Sequence, residues 1–240
     1  MAAFERYTRQ LPMPEIGADG QKRLARSSVL VVGCGGLGST LLFCLAGAGV
    51  GKIAFADGDD ISLSNLNRQF LHTTAEIGRN KALSAYDRLH AFNPTLQLIP
   101  IPRRLTPETL ENDVLGFDVV VTAVDSVAAR MHVNAACVSR EIPLIDGGVN
   151  GLCGTVLSVR PHETACLACL YDGVKEPARS PNSFAPTVSV ISAMEAQAAL
   201  QLLLGRPDPL AGKMLIYDGA TLTTQTCALP RNEHCSACGR

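Results

Sequence analysis

Three groups of residues in this chain could do chemistry. The first is Gly33-Cys34-Gly35-Gly36-Leu37-Gly38, which fits G-x-G-x-x-G. Glycines at this spacing permit a tight turn and let backbone approach a phosphate closely. A helix opening behind them adds free N–H groups and a positive dipole end. The second group is a series of charges: Asp57, Asp59, Arg68, Lys81 and Asp125. Cations beside a phosphate chain, with a carboxylate to hold Mg2+, suit attack at a nucleotide phosphorus. The third is Cys166-Leu167-Ala168-Cys169 with Cys235-Ser236-Ala237-Cys238. Four thiolates in two knuckles suit a tetrahedral Zn2+ site, and with no open position the metal would be structural.

Each group has a plainer reading. The glycines could form a strand–helix turn with no ligand. With Asp57 about where a ribose-binding carboxylate is expected, they could also belong to an NAD dehydrogenase, since the motif alone does not separate NAD from ATP. Lys81 could be a surface residue at a helix start, Asp125 a helix cap, and Arg9 a solvated terminal charge. The cysteine pairs lie further apart than in a zinc ribbon, and a C-x-x-C beside α/β structure can be a redox pair.

The elements that must position these residues can be read from periodicity. Ser28–Gly33 is a β-branched run ending in glycine, Gly36–Val50 has helical spacing, and Lys52–Ala56 is a second strand ending at Asp57. Lys81–Phe92 reads as a helix stopped by Asn93-Pro94, Gln97–Ile101 as a strand, and Pro107–Val114 as a helix capped by Thr106. Phe117–Val124 is a strongly apolar strand, Ser126–Arg140 a helix, and Pro143–Asp146 another strand. This alternation predicts an α/β fold, a Rossmann-like, mainly parallel sheet with helices on both faces. Beyond Gly147 the expected elements are a long buried helix over Val188–Leu204 and a hairpin within Lys213–Leu229 around Asp218-Gly219. The C-terminal extension is thus a β-hairpin with a zinc-clipped tail.

Composition excludes several classes. The 240 residues are 47% hydrophobic and 18% charged, enough apolar material for a core and no disordered tail. Net charge is −1 and Trp is absent, which argues against a nucleic-acid partner. No apolar run is long enough to span a membrane, and Met1–Gln10 does not read as a signal peptide. Nine cysteines, an odd number, without an export signal point to a cytoplasmic chain with a metal site or catalysis, not a disulfide scaffold. The reading is one domain over 1–240, with the nucleotide-binding part in 1–150.

The motifs taken together narrow the choice. The glycine loop, Asp57-Gly58-Asp59-Asp60, Ser64-Asn65-Leu66-Asn67-Arg68-Gln69, Gly78-Arg79-Asn80-Lys81 and Asp125, with Arg6-Tyr7-Thr8-Arg9-Gln10 before them, resemble the ThiF/MoeB/HesA family across nearly the whole chain. These are bacterial relatives of ubiquitin-activating enzymes. The resemblance implies ATP on Gly33, Gly35, Gly36 and Gly38, with Asp57 on the ribose. Asp59, Ser64, Asn65, Arg68, Lys81 and Ser126 would contact nucleotide, and Asp125 would bind Mg2+. It assigns Arg9 to an arginine finger reaching the partner's site in a homodimer. It implies zinc on Cys166, Cys169, Cys235 and Cys238, and makes 151–240 the carrier-binding and zinc part. The family's usual Asp-Asn is Asp125-Ser126 here, a mild departure because serine still donates a hydrogen bond.

ThiF-like members carry a cysteine in the crossover before the long helix, where it links covalently to the carrier. Here that segment, Leu170–Pro186, contains no cysteine, and Pro181 or a neighbour takes its place. The segment is rich in Gly, Pro and Ser and reads as a gate over the site. Among the remaining thiols, Cys34, Cys44 and Cys137 read as packing residues, although a helix N-terminus could lower the Cys34 pKa; Cys153 and Cys227 read as strand residues. His72 and His90 read as surface or helix-edge residues. The expected activity is adenylation, with ATP and Mg2+, of a ubiquitin-like sulfur carrier ending in Gly-Gly. Pyrophosphate leaves, no cysteine intermediate forms, and the adenylate passes to a separate sulfur donor such as a cysteine desulfurase or rhodanese. The alternatives are adenylation of a peptide or tRNA base, and a binding module that has lost activity.

Overall fold

The structure is a computed structural model that describes residues 2–171, 173–174 and 182–239. Eight strands form one sheet: β1 Ser28–Val32, β2 Lys52–Ala56, β3 Gln97–Ile101, β4 Val119–Thr122, β5 Leu144–Asn150, β6 Cys153–Val159, β7 Lys213–Asp218 and β8 Thr223–Ala228. Their order is β3-β2-β1-β4-β5-β6-β7-β8. Pairing is parallel from β3 across to β5 and antiparallel from β5 to β8. β1 and β4 are apolar at almost every position because helices cover both of their faces.

α2 (Gly36–Ala48), α3 (Lys81–Phe92) and α7 (Ala185–Leu203) bury one face of the sheet, onto which Val29, Val31, Phe55 and Val121 point. α4 (Pro107–Asp113), α5 (Val127–Ser139) and α6 (Leu167–Tyr171) cover the other, where Leu30, Val32, Ala54 and Val120 point. Strand alternation thus splits one apolar run between two cores. α1 (Gly17–Leu24) adds Leu24 to the first core. After β1 the chain crosses to β2 on one side, while β4 pairs on the other, so a crevice opens at the carboxyl ends of β1 and β4.

The α/β reading and both helical faces hold. The hairpin is β7–β8, but β6 joins it edge-on to β5, so it continues the main sheet rather than hanging from it. α7 starts at Ala185 rather than Val188, because Pro186 suits a helix's first turn. Part of the gate assigned to Leu170–Pro186, including Pro181, falls on residues 172 and 175–181, outside the described residues.

Candidate nucleotide site and four-cysteine cluster

The glycine loop lies between β1 and α2, at the crevice. Gly33 has φ +110°, and a Cβ there would lie 2.4 Å from the Ala123 carbonyl oxygen. A Cβ on Gly38 would lie 2.2 Å from the Gly33 carbonyl oxygen. These two glycines let helix and strand touch; Gly35 and Gly36 face the crevice. Gly35 is the N-cap of α2 and supplies no side-chain bond, so the first-turn N–H groups stay available to an anion.

A cavity of about 360 Å³ adjoins the loop, lined among others by Gly35, Gly36, Asp57, Asp59, Lys81 and Asp125. A larger hollow, about 640 Å³, lies at the other end of the sheet among Lys22, Arg26 and Asp118 and has no phosphate loop. The smaller one is the candidate site, because the topology and the loop coincide there.

Asp57, at the end of β2, accepts the Cys34 N–H at Oδ2 (2.9 Å) and the Asp59 N–H at Oδ1 (2.8 Å). Its carboxylate thereby braces the loop and keeps lone pairs for a further donor. Asp59 accepts from Arg104 Nη2 at 2.7 Å and pairs with Lys81 Nζ at 3.3 Å. The Arg104 hydrogen bond holds the Asp59 carboxyl below its ordinary value, against the effect of burial, with Lys81 assisting. Lys81 is only 6% exposed, which overturns its reading as a surface residue. The cap of α3 is Asn80, whose side chain accepts from Ala82 and Leu83. Arg68 packs against Gly36, and its guanidinium donates to Ser64 O (3.1 Å) and Asn67 Oδ1 (2.9 Å). Asp125 is exposed at the rim and is not the α5 cap; Ser126 takes that place by accepting the Ala129 N–H at 3.1 Å.

Four expected residues do not line this cavity: Gly38, Ser64, Asn65 and Arg9. Ser64 and Asn65 form a 3-10 turn, Leu63–Asn65, beside Arg68, and Asn65 Oδ1 caps it by accepting the Ser62 N–H at 3.2 Å. Arg9 is far away. Its neighbour Gln10 donates to the Ala48 carbonyl, and Tyr7 Oη accepts from Asn93, which also donates to Ala46. These anchors grip the last turn of α2, whereas the loop is at its first. The 13-residue helix spans about 20 Å.

Sequence reasoning missed several residues near the cavity. Arg104 follows β3, and β3 pairs with β2, so a strand order would have brought Arg104 to Asp59. Gln69 is buried against Gly35, and its Oε1 has no partner among the described residues. Arg130 lines the cavity and pairs with buried Asp146 at 3.2 Å. His72 is buried, not at the surface; its Nε2 lies 2.9 Å from the Cys34 carbonyl oxygen and its Nδ1 2.9 Å from Ser84 Oγ. The Cys34 thiol is fully buried, and burial pushes its pKa well up, so no helix dipole activates it. Cys137 is likewise buried and pushed up to about 12, whereas Cys44 is only partly buried.

The two C-x-x-C pairs meet. All four Sγ atoms lie within 4.8 Å of one another, with Cys166–Cys235 at 3.7 Å and Cys169–Cys238 at 3.6 Å. A disulfide needs about 2.05 Å, while sulfurs about 2.3 Å from a tetrahedral Zn2+ stand about 3.8 Å apart. The donor set and its spacing fit zinc. Asn134 Oδ1 accepts the Leu167 N–H at 2.9 Å and fixes the first knuckle on α5.

The fold and the loop define a doubly wound α/β protein with a glycine-loop crevice at its topological switch point. Residues 7–237 match the ThiF family, and the chain belongs to it. It is 40% identical to the sulfur carrier protein ThiS adenylyltransferase of Escherichia coli over 98% of this chain and 95% of that protein. It is 36% identical to the molybdopterin-synthase adenylyltransferase of Salmonella typhimurium over 98% and 96%. Among solved structures it resembles E. coli MccB crystallised with ATP, with a TM-score of 0.87, 26% identity, and 98% of this chain and 74% of that one covered. The chain is a nucleotidyltransferase. No helix among the described residues is long and apolar enough to cross a membrane.

Proposed function

We propose that this chain adenylates the C-terminal glycine carboxylate of a small ubiquitin-like sulfur carrier protein ending in Gly-Gly, of the ThiS or MoaD type. The observation that carries the reading is one cavity that joins uncapped N–H groups of α2 to the buried ammonium of Lys81. A carrier carboxylate oxygen attacks the α-phosphorus of ATP, the bond to the bridging oxygen breaks, and pyrophosphate leaves. The product is an acyl-adenylate. Gly35 and Gly36 turn backbone toward the phosphates, Asp57 holds the ribose, and Lys81 and Arg68 stabilise charge gained by the leaving group. Asp59 and Ser126 complete the nucleotide contacts, Ser64 and Asn65 hold the turn beside Arg68 from outside the cavity, and Gly33 and Gly38 keep the loop tight.

Asp125, an exposed carboxylate at the rim, suits Mg2+, which when bound would neutralise phosphate charge. Arg9 serves the partner's site in a homodimer. Its separation from the loop of its own chain supports that role. Zn2+ on the four cysteines clips the tail to α5 and α6 and takes no part in the reaction. No cysteine lies in Leu170–Pro186, so no thioester or acyl-disulfide forms there. The adenylate passes to a separate sulfur donor, a cysteine desulfurase or a rhodanese.

A second reading is adenylation of a peptide, and the solved fold this chain shares is that of MccB, crystallised with ATP and with N-formylated MccA. The higher identity to carrier-activating relatives ranks it lower. A tRNA base ranks lower still, given a net charge of −1. The test is ATP–pyrophosphate exchange with purified ThiS- and MoaD-type carriers. Exchange that needs the Gly-Gly terminus supports the proposal; exchange with a short peptide but no carrier replaces it with the second reading.

A further inference from the structure

We infer that His72 is a positioning residue of the glycine loop, whose Nε2–H pins the Cys34 carbonyl so that the Gly35 N–H faces the cavity. The inference rests on the nucleotide reading above. Its basis is a buried chain of polar atoms behind the loop. His72 Nε2 lies 2.9 Å from the Cys34 carbonyl oxygen. A carbonyl oxygen only accepts, so this nitrogen carries the proton. On the other side, Nδ1 lies 2.9 Å from Ser84 Oγ, and Ser84 Oγ is 2.9 Å from Glu76 Oε1. Glu76 in turn accepts the Thr73 N–H at 3.0 Å and the Thr73 hydroxyl at 2.8 Å. The ring is thus held from α3 and from the 3-10 turn Thr74–Glu76, both outside the loop that it grips.

The consequence falls on Gly35. The Cys34 N–H is already committed to Asp57 Oδ2 at 2.9 Å, so Cys34 is fixed at both its donor and its acceptor. A trans peptide is planar, and its N–H points opposite to its carbonyl. With the Cys34 carbonyl turned inward onto His72, the Gly35 N–H points outward, and Gly35 lines the cavity. Nothing in this depends on the ring's charge. Burial lowers the His72 pKa; the Cys34 carbonyl, Glu76 and Asp57 oppose that, and Lys81 reinforces it. Ser84 has one hydroxyl proton: given to Nδ1 it leaves a neutral ring with Nε2–H, and given to Glu76 Oε1 it requires a ring protonated at both nitrogens, so the bond to the Cys34 carbonyl keeps its Nε2–H in either state.

The experiment compares the full-length wild type with His72→Leu, which fills much of the same space without a donor, and His72→Gln, which restores an N–H. We expect His72→Leu to weaken ATP binding about tenfold, the cost of one mis-aimed hydrogen bond. The KM for ATP in exchange should rise equally and the KM for carrier should not move, while His72→Gln recovers most of the loss. Nitrogen NMR of the wild type without nucleotide should show Nε2 protonated from roughly pH 6 to 8. An unprotonated Nε2, unchanged ATP affinity in His72→Leu, or equal losses in both variants that track a lowered Tm would overturn the inference. Wild type that binds ATP but exchanges with no carrier would sink the proposed function and leave this inference standing, because neither ATP binding nor the Nε2 signal involves a carrier.

Discussion

Lys81 Nζ stands 3.3 Å from Asp59 Oδ2, and only 6% of the lysine is exposed. A lysine is kept this deep when it is paired, and Asp59 is shared between two cations, because Arg104 Nη2 is 2.7 Å from its other oxygen, which leaves the trio a net charge of +1. The three side chains form a charge reserve at the mouth of the glycine loop.

Lys81→Met should therefore remove transition-state charge stabilisation while keeping the packing of the lysine stem. We expect ATP–pyrophosphate exchange to fall about 10²- to 10³-fold, with little change in Tm. Steady-state kinetics with thermal melts check this; activity within a few-fold of wild type would exclude Lys81 from the reaction.

Arg9 yields a prediction about two chains. Arg9→Ala and Asp125→Ala should each be inactive as homodimers. Mixed statistically, half of the dimers are heterodimers, and each contains one site with both residues intact. Activity should return to about a quarter of wild type. An inactive mixture of chains shown to exchange subunits would refute action in trans.

The four-cysteine cluster predicts about one zinc per chain, by the coordination that four thiolates complete. Cys169→Ser should lose the metal, and Tm should fall by about 10 °C or more, since metal binding energy is folding energy. Metal analysis of both proteins decides the point. A fully occupied Cys169→Ser, or a metal-free wild type of undiminished stability, would count against the site.

How much of this was legible beforehand depended on how local each signal was. The loop follows from six consecutive residues; Gly38 is required by a contact within the unit, to Gly33 O, whereas Gly33 is required by Ala123 O, which the β1–β4 pairing brings in from a distant part of the chain. The zinc knuckles are equally local, each a C-x-x-C. Arg104 and His72 were not legible, because their partners are distant in sequence: Arg104 reaches Asp59 only through the β2–β3 pairing, and His72 reaches Cys34 only once α3 is packed. Lys81 had an ambiguous local signal, since a lysine after an N-cap asparagine is ordinarily solvated. Its burial is decided by Asp59 across the crevice.

Glu195, on α7, makes the remaining case. It is fully buried with its carboxyl packed against the Gly147 backbone, and burial drives its pKa well above the usual carboxylate value. Asp146 on β5 pushes it further in the same direction, while Arg130 on α5 and the Gly147 backbone oppose the shift. The folded state therefore keeps a proton that the unfolded chain releases once pH exceeds about 4.3. Stability from this group is complete below that value and declines as pH rises toward the folded pKa. Glu195→Gln keeps the shape and removes the titration. Measured against wild type, it should be near neutral below about pH 4, then gain with rising pH, by up to about 1.4 kcal/mol per unit. Denaturant unfolding of both proteins at a series of pH values tests this; a stability difference that does not vary with pH would show that Glu195 is ionised in the folded protein.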